Sequence, residues 1–459
     1  MEAETLKFDV AVIGGGSAGY AAARTARAAG KSVVVIEGGA EVGGLCILRG
    51  CMPTKALLHG AEVYHQAREA GVFGVKADHL SLDFPTLMAW KNRWVGEFAA
   101  YRRTQLQDGR FNFIRSKAVF EDPHRVRLAD GGLVEADYLI IATGSRVAPP
   151  PIPSLTEVGV LTSDDILELQ KLPASAIVLG GGAVAVELAQ FLHRSGCETT
   201  LVQRSTQLLR DFDPDLAGAL EQALRREGMH VHTGTKLLGA ERAGDLRRVL
   251  FESGGQPMSV EAEVILHALG REPATDGLGL DRIGVTVEKG RIVTDNAQRT
   301  SLPHIFAAGD CCGPYEVVHI AIQQGETAAW NACHPETART VDYRLVLTVV
   351  FTEPQVASVG LSEKEAARLG IPYRVASYPF NDHGKALLMN HTDGFVKLLT
   401  DPASGTILGG SVAGPVAGEL IHEVVVAMAA RMTAAQFAAV PHYHPTLAEI
   451  WTYPAEELA

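Results

Sequence analysis

The sequence predicts an α/β protein with two Rossmann-like dinucleotide-binding domains and a C-terminal α+β domain. A glycine-rich turn between a strand and a helix occurs at Gly14–Gly19 and again at Gly180–Ala185, which predicts the first two domains. The length of 459 residues allows three or four domains, since a domain usually has about 100–200 residues. Beyond about residue 341 the chain alternates strand-like and helical patterns without such a turn, which predicts the third domain.

Composition and charge exclude several classes of protein. The formal net charge is −12 and no long Lys/Arg cluster occurs, so nucleic acid and anionic membranes are not expected partners. Six cysteines in 459 residues exclude a disulfide-stapled secreted scaffold. The N-terminus carries no apolar run of signal length, and no segment approaches the roughly 18–20 apolar residues of a membrane helix. We therefore expect a cytoplasmic protein.

The first glycine-rich turn lies in the order strand, turn, helix, strand, acid. In this pattern one glycine allows the turn, the next lets backbone approach a pyrophosphate, and the third lets the helix pack on the strand. The helix N-terminus offers N–H groups and a partial positive charge to the phosphates. The acid at the end of the second strand can accept hydrogen bonds from the ribose. These positions are the strands Phe8–Ile13 and Ser32–Ile36, the helix at about Tyr20–Ala29, the glycines Gly14, Gly16 and Gly19, and the acid Glu37.

A mixed region follows the first unit and ends in a strand that runs into a tight glycine turn at Thr143-Gly144. Two more strands of this kind, which end at Gly270 and at Gly309-Asp310, come after the second glycine-rich unit. The proline-rich stretch 149–153 predicts a linker between the first two domains.

The second glycine-rich turn differs from the first at two places. Its third glycine is replaced by Ala185, a tolerated variant. Gln203 stands as far after Gly182 as Glu37 stands after Gly16, so the acid that favours an unphosphorylated ribose is missing. Arg204 and Arg210 follow, and guanidinium groups suit a 2′-phosphate. We predict NADPH rather than NADH, the alternative being that both arginines are solvated surface charges.

Two cysteines, Cys46 and Cys51, lie close together after the first unit. On a regular helix they would be about 7.5 Å apart along the axis and on different faces, so a disulfide requires a break. Gly50 can relax the chain between them, and Pro53 suits the first turn of a new helix that would favour the thiolate of Cys51. A redox-active pair is the main interpretation. Zinc would need a second ligand pair, and none stands at a suitable spacing nearby.

Together these motifs resemble the flavoprotein disulfide reductases, class I, which include dihydrolipoamide dehydrogenase, glutathione reductase and mercuric reductase. The resemblance covers essentially the whole chain, and dihydrolipoamide dehydrogenase is the most similar type. It implies FAD and NADPH (or NADH) as cofactors, no metal site and a homodimer. It also implies an FAD domain in two parts, residues 1–150 and 271–340, around a nicotinamide domain, residues 151–270, followed by a dimerisation domain, residues 341–459.

The resemblance assigns roles to individual residues. Cys51 faces the flavin and Cys46 exchanges with the substrate sulfur, while Lys55, paired with Glu187, lies near the flavin ring. The remaining FAD contacts are implied for Ala118, Thr143, Gly144, Asp310 and His319, and the nicotinamide contacts for Gly180, Gly182, Ala185, Arg204, Arg210 and Gly270.

A proton carrier is needed beside the cysteine that exchanges with substrate. His444 precedes Pro445 in a His-Pro-Thr context, and a short helix could bring Glu449 back to orient its ring. His442 is the weaker alternative. The resemblance implies that this pair comes from the partner subunit.

The substrate separates the members of the family. Mercuric reductase needs a C-terminal cysteine pair, whereas the last cysteine here is Cys333, and Cys311-Cys312 are expected to pack beside the FAD. Arg24 fits a glutathione contact, but Glu326 stands where glutathione reductase has another arginine. We therefore predict electron transfer between NAD(P)H and a small or protein-bound lipoyl disulfide. A glutathione-type, metal-ion or quinone reductase and a non-catalytic redox sensor are the alternatives.

Overall fold

The structure, a computed structural model, describes residues 5–459. Its contacts divide the chain into two compact units, each built from separated segments. Unit 1 contains the described residues up to Ala56, together with Met88–Ala148 and Arg271–Asp342. Unit 2 contains Leu57–Leu87, Pro149–Gly270 and Tyr343–Ala459.

The strands follow one another along the whole described chain. In order they are β1 (Thr5–Ile13), β2 (Val33–Glu37), β3 (Asn112–Arg115), β4 (Ala118–Asp122), β5 (Arg125–Leu128), β6 (Leu133–Ile141), β7 (Ser145–Val147), β8 (Leu161–Thr162), β9 (Ser175–Leu179), β10 (Glu198–Val202), β11 (His230–His232), β12 (Thr235–Ala243), β13 (Leu246–Ser253), β14 (Gln256–Ala262), β15 (Val264–His267), β16 (Arg271–Pro273), β17 (Val287–Glu288), β18 (Arg291–Ile292), β19 (Ile305–Ala307), β20 (Leu347–Val350), β21 (Gln355–Gly360), β22 (Arg374–Pro379), β23 (Phe395–Thr400) and β24 (Ile407–Gly414).

The helices are interspersed with these strands. In order they are α1 (Ser17–Ala28), α2 (Gly44–Leu48), α3 (Cys51–Glu69), α4 (Phe84–Gln107), α5 (Pro153–Val158), α6 (Ser163–Ile166), α7 (Ala183–Arg194), α8 (Pro214–Arg226), α9 (Leu280–Ile283), α10 (Val318–Cys333), α11 (Glu363–Leu369), α12 (Gly384–Met389), α13 (Ala417–Ala429), α14 (Ala434–Ala438) and α15 (Thr452–Leu458). Short 3₁₀ helices lie at Ala70–Phe73, Tyr343–Leu345, Phe380–Asp382 and Ala448–Trp451.

Unit 1 is built around one sheet with the order β3-β2-β1-β6-β5-β4, in which β19 also pairs with β6. Strands β3, β2, β1, β6 and β19 run parallel, and β5 and β4 extend the sheet antiparallel. Alternate residues of β1 face opposite sides: Val10 and Val12 pack with alanines of α1 and α10, whereas Ala11 and Ile13 pack in the core that contains Phe120. Burial of both faces explains why β1 ends as an unbroken apolar run.

Unit 2 contains three sheets. The first is fully parallel, with the order β11-β10-β9-β15-β8. An antiparallel sheet β12-β13-β14 and a five-stranded antiparallel sheet, β20-β21-β24-β23-β22, complete the unit. Val424 and Ile421 of α13 are buried in the core of the last sheet.

The predicted fold class is confirmed, because two glycine-rich turns join parallel strands and an antiparallel sheet with helices follows. Helix α1 begins at Ser17 rather than near Tyr20, so the fingerprint itself contributes the first helical turn. Helix α5 begins at Pro153, where the predicted linker ends. The domain boundaries at 150, 270 and 340 stay a prediction. Within residues 5–459, no helix is long and apolar enough to cross a membrane.

Candidate active site and nucleotide-binding turns

The glycines of the first glycine-rich turn lie very close to other backbone atoms of unit 1. Gly14 has a φ of +107°, and a Cβ there would lie 2.3 Å from the carbonyl oxygen of Ala142. A Cβ at Gly19 would lie 1.8 Å from the carbonyl oxygen of Gly14. Backbone atoms therefore occupy the space that any side chain would need, so both positions require glycine.

The end of this turn can receive an anion. Gly16 caps α1, and no side chain accepts a hydrogen bond from the first N–H groups of this 12-residue helix. Glu37 borders the turn: its Oε2 accepts a hydrogen bond from Gly15 N at 2.8 Å, and its Oε1 accepts one from Gly39 N at 2.6 Å. The uncapped helix end fits a pyrophosphate, and the adjacent carboxylate fits a ribose, so these residues fit the predicted FAD.

The other predicted FAD residues lie at strand ends of unit 1. Asp310 Oδ2 accepts a hydrogen bond from Ser145 Oγ at 2.6 Å. Ser145 directly follows Gly144, which has a φ of +73°. Arg271 in turn donates to Ser145 Oγ at 3.0 Å. Two strand-to-turn junctions are thereby joined. Thr143 precedes this junction, Ala118 begins β4, and His319 lies in the first turn of α10.

The two neighbouring cysteines near Asp310 are buried. Cys311 Sγ lies 3.4 Å from the carbonyl oxygens of Ile141 and Ala308, and both Cys311 and Cys312 belong to the core of unit 1. This placement agrees with the expectation that they pack. Within residues 5–459, no group of three or more His, Cys, Asp or Glu side chains could hold a metal ion.

Cys46 and Cys51 lie on opposite sides of a helix break. Cys46 is in α2, Cys51 is the first residue of α3, and both are thiols. A hydrogen bond with Cys51 and burial raise the pKa of the Cys46 thiol, while the charges of Arg102 and Lys55 act in the opposite direction. The two sulfurs are thus neighbours, which the break at Gly50 permits.

The cysteine helix lies beside the first turn. A Cβ at Gly44, the first residue of α2, would lie 2.7 Å from the Cα of Gly16. Backbone contact between these two glycines places α2 against the uncapped end of α1. The structure therefore brings the predicted FAD turn and the predicted redox pair together within unit 1.

Arg102 near Cys46 was not predicted from the sequence. Its guanidinium lies over the Tyr20 ring, with Cζ 4.4 Å from the ring centroid, and Nε donates to Gln105 Oε1 at 3.2 Å. Burial lowers the pKa of Arg102, whereas the nearby Tyr20 and Cys46 raise it. Arg102 lies in α4, far from Cys46 in sequence and outside any motif, so no pattern could have indicated it.

The second glycine-rich turn repeats the first in unit 2. Gly180 has a φ of +123°, and a Cβ there would lie 2.4 Å from the carbonyl oxygen of Ala268. Gly182 caps α7, again without a side-chain cap, and Ala185 is fully buried in that helix. Gly270, with a φ of +129°, follows the neighbouring strand β15.

Gln203 occupies the position that Glu37 has in unit 1. A Cβ at Gly181 would lie 2.8 Å from Gln203 Cδ, just as a Cβ at Gly15 would lie 3.0 Å from Glu37 Oε2. Arg204 and Arg210 are both exposed in the loop that follows. The uncapped helix end fits a second pyrophosphate, and the neutral amide with two cations fits a phosphorylated ribose.

His444 and Glu449 form a pair in unit 2. His444 Nδ1 lies 2.9 Å from Glu449 Oε2, and the 3₁₀ helix Ala448–Trp451 carries the glutamate. The His444 side chain is 78% exposed and that of Glu449 only 12%. The carboxylate therefore orients the ring from the protein side, and the rest of the imidazole faces outward.

Two other histidines lie near this pair. His442 is engaged at both ring nitrogens, with Val440 O at 2.9 Å and Glu423 Oε2 at 3.1 Å, which leaves it less suited to proton transfer than His444. His383, which the sequence did not indicate, is fully buried with Nε2 3.4 Å from Glu449 Oε1. Burial lowers the pKa of His383, and Glu449 opposes this effect.

Glu187 is buried in α7, where its Oε1 accepts a hydrogen bond from Phe351 N at 2.9 Å. Lys55 lies in the second turn of α3. Their pairing stays a prediction.

Comparison with known proteins gives consistent matches along the chain. The family described as pyridine nucleotide-disulphide oxidoreductase matches residues 8–325, and its dimerisation domain matches residues 346–455. The chain is 35% identical to the dihydrolipoyl dehydrogenase of Geobacillus stearothermophilus, over 99% of this chain and 96% of the relative. It is 38% identical to the mercuric reductase of Streptomyces lividans, over 96% and 94%. Among solved structures, LpdA of Mycobacterium tuberculosis superposes with a TM-score of 0.88 at 27% identity, over 99% of this chain and the whole of that chain.

Proposed function

Because the chain belongs to the pyridine nucleotide-disulphide oxidoreductase family, we propose that Cys46 and Cys51 are its redox-active disulfide. The family makes it an FAD-dependent NAD(P)H:disulfide oxidoreductase similar to dihydrolipoyl dehydrogenase, which confirms the resemblance and both cofactors. One observation carries the proposal: the two sulfurs are hydrogen-bonded neighbours on either side of a helix break, and α2, which carries Cys46, touches the FAD-type turn. FAD, when bound there, supplies the transfer of an electron pair between the nicotinamide and the disulfide.

The remaining chemistry is thiol–disulfide exchange by the two cysteines. The Cys46 thiolate attacks one substrate sulfur, which forms a mixed disulfide and releases the other sulfur as a thiolate. The Cys51 thiolate then attacks Cys46, which releases the second substrate thiol and restores the Cys46–Cys51 disulfide. The net reaction is NAD(P)H + H⁺ + RSSR → NAD(P)⁺ + 2 RSH, and it reverses when a dithiol is oxidised.

His444 serves as the proton carrier in this proposal. It donates a proton to the leaving substrate thiolate, and it accepts one from a dithiol in the reverse direction. Glu449 orients the ring through Nδ1 and leaves Nε2 for the substrate. The chain carries the family's dimerisation domain at residues 346–455, and we propose a homodimer in which His444 of each subunit serves the cysteines of the other.

We propose a lipoyl-type disulfide as substrate rather than glutathione disulfide. Arg24 could bind a substrate carboxylate, but its guanidinium donates to Glu326 Oε1 at 2.7 Å. A neighbouring carboxylate repels the glycine and glutamate carboxylates of glutathione and has no such effect on an uncharged lipoamide chain. The substrate can be small or carried on a protein. A thiol enzyme of this kind fits the reducing cytoplasm.

We propose NADPH as the preferred nicotinamide. Gln203 lacks the charge that would repel a 2′-phosphate, and Arg204 and Arg210 are exposed nearby. The alternative, that both arginines are only surface charges, predicts equal use of the two nicotinamides.

A substrate panel tests the proposed function. Purified enzyme with bound FAD is assayed with lipoamide, glutathione disulfide, Hg(II) and a quinone, each with NADPH and with NADH. We expect the highest kcat/KM for lipoamide, and loss of disulfide reduction in Cys46→Ser but not in the matched control Cys333→Ser. Unchanged disulfide reduction by Cys46→Ser would exclude the dithiol mechanism, and Hg(II) or quinone as the best substrate would support the corresponding alternative.

A further inference from the structure

The loop from Gln203 to Asp213 carries both arginines of the proposed phosphate site. It connects β10 to α8, and its residues form neither helix nor strand. Leu208 and Leu209 are buried, and Leu209 N donates to the carbonyl oxygen of Gly181 at 2.7 Å. One side of the loop is thus fastened to the second glycine-rich turn, where the nicotinamide dinucleotide is expected.

The other side of the loop is fastened to an ion cluster. Lys397 of β23 is 2% exposed, and its Nζ donates to Asp213 Oδ2 at 2.9 Å. The same ammonium group donates to Asp215 and Glu363, at 2.8 Å in both cases. Asp213 also accepts hydrogen bonds from the backbone N–H groups of Glu363 at 3.2 Å and Lys364 at 3.0 Å. The end of the loop is therefore held by three donor groups on two elements, α11 and β23, of the C-terminal part of unit 2.

The charges of this cluster support each other. Burial disfavours the carboxylate of Asp213, but the hydrogen bonds from Lys364 N and Lys397 hold the pKa of Asp213 below its usual value. Burial likewise disfavours the ammonium of Lys397, yet the hydrogen bonds that it donates to three carboxylates raise the pKa of Lys397. Both shifts favour the charged forms of Asp213 and Lys397, which strengthens the ion pair between them.

Arg210 itself is held directly. The ammonium group of Lys364, in α11, donates to the carbonyl oxygen of Arg210 at 2.6 Å. The preceding Leu209 has a φ of +45°, a left-handed conformation that is costly for a branched side chain and persists only where surroundings fix it. The backbone at Arg210 is therefore fixed from both sides while its guanidinium stays exposed and paired only loosely, 3.5 Å from Asp211.

We propose that Lys364 and Lys397 are positioning residues that determine the preference of this enzyme for a 2′-phosphorylated nicotinamide dinucleotide. They act through the backbone of Arg210, because a fixed backbone lowers the conformational entropy that a phosphate-binding side chain loses on binding. NADH has no 2′-phosphate and gains little from a fixed Arg210. The inference rests on the proposed preference for NADPH and extends it to residues of the C-terminal sheet.

The test is steady-state kinetics of Lys364→Met with each nicotinamide. Removal of one charged hydrogen bond is expected to raise KM for NADPH by about fivefold and KM for NADH by less than about twofold, with kcat retained. The matched control is Lys236→Met, which removes an exposed lysine of β12 and is expected to change neither of the two KM values. A merely structural role would instead change both KM values together, or it would lower the unfolding temperature and leave the ratio of kcat/KM for NADPH to kcat/KM for NADH (the NADPH/NADH ratio) unchanged.

Two further variants separate the inference from its premise. Arg210→Gln tests the phosphate site itself: an unchanged NADPH/NADH ratio there contradicts the proposed function. If Arg210→Gln lowers the ratio and Lys364→Met does not, the positioning role is wrong. In the double variant, Lys364→Met is expected to add less than about twofold to the effect of Arg210→Gln, because both act through one guanidinium. Lys397→Met should lower the ratio further than Lys364→Met, and where this variant does not fold, Lys364→Met decides alone.

Discussion

The two glycine-rich turns have the same construction up to the end of their second strand and then diverge. In both units the strand before the turn lies between the strand that follows its helix and a later strand of the sheet. The corresponding strand orders are β3-β2-β1-β6 in unit 1 and β11-β10-β9-β15 in unit 2, and we call β6 and β15 the return strands. In both, the first glycine abuts a carbonyl oxygen just beyond the return strand, at Ala142 and Ala268. The shared part is what any dinucleotide requires, namely a tight turn and an uncapped helix end.

We propose that the divergent part distinguishes the two nucleotides. In unit 1 an acid, Glu37, ends the second strand, and the chain continues into α2 with Cys46. In unit 2 an amide, Gln203, takes the same place, and the chain continues into the arginine loop fixed by Lys364 and Lys397. In the proposed function, a common scaffold thus positions the redox-active cysteines in one case and the phosphate-binding arginines in the other.

The largest expected difference between the turns concerns their third position. A Cβ at Gly19 would lie 1.8 Å from Gly14 O, whereas Ala185 already accommodates a Cβ in α7. We expect Gly19→Ala to destabilise unit 1 by about 3 kcal/mol, the upper range for overpacking, and to lower the FAD content of the purified enzyme. Ala185→Gly should cost only about 1 kcal/mol, the usual helix propensity difference.

Thermal unfolding and the flavin-to-protein absorbance ratio measure these effects. Retention of full FAD content by Gly19→Ala would mean that α1 moves away from the turn at little cost, and the two turns would then be equivalent at this position.

The second prediction exchanges the residue at the end of the second strand. Gln203→Glu places in unit 2 the acid that unit 1 has, and its charge repels a 2′-phosphate while its oxygens accept from a free ribose hydroxyl. We expect the ratio of kcat/KM for NADPH to that for NADH to fall by about 10- to 100-fold, which corresponds to about 1.4–2.8 kcal/mol.

A charge control accompanies this variant. Gln170→Glu adds the same charge at an exposed position of unit 2 and is expected to leave the ratio within about twofold, since exposed charges are screened beyond about 10 Å. Equal effects of the two substitutions would show that only the net charge of the protein affects the ratio. Gln203 would then not occupy the ribose-contacting position that Glu37 has in unit 1.

Much of this comparison could be predicted from the sequence, because the determinants lie close together in the chain. The turn glycines, the acid or amide after the second strand, and the break at Gly50 are set by local spacing. Arg102, His383 and Lys397 could not be predicted, since each acts on residues more than one element away and stands in no recognisable motif. Lys397 illustrates the reason: its carboxylate partners come from two elements that only tertiary packing brings together.

The third prediction concerns the reactivity of Cys46, the feature that unit 1 has and unit 2 lacks. The hydrogen bond with Cys51 and burial raise the pKa of Cys46, and Arg102 opposes them together with Lys55. Arg102→Gln removes one opposing charge, so the pKa of Cys46 rises further and the thiolate fraction at a given pH falls. The midpoint of its alkylation by iodoacetamide should shift upward by about one pH unit, equivalent to about 1.4 kcal/mol.

This shift separates an electrostatic role of Arg102 from a packing role. The experiment uses reduced holoenzyme, with Cys51 and the four other cysteines resolved from Cys46 by peptide mapping. Arg103→Gln, the exposed neighbour on α4, keeps the helix and removes the same charge, so it should leave the midpoint in place. Arg102→Lys retains a cation but loses the planar stacking on Tyr20, and it should restore most of the midpoint if charge is the cause. An unmoved midpoint in Arg102→Gln would mean that the charge of Arg102 does not control the reactivity of Cys46, and its electrostatic role would be excluded.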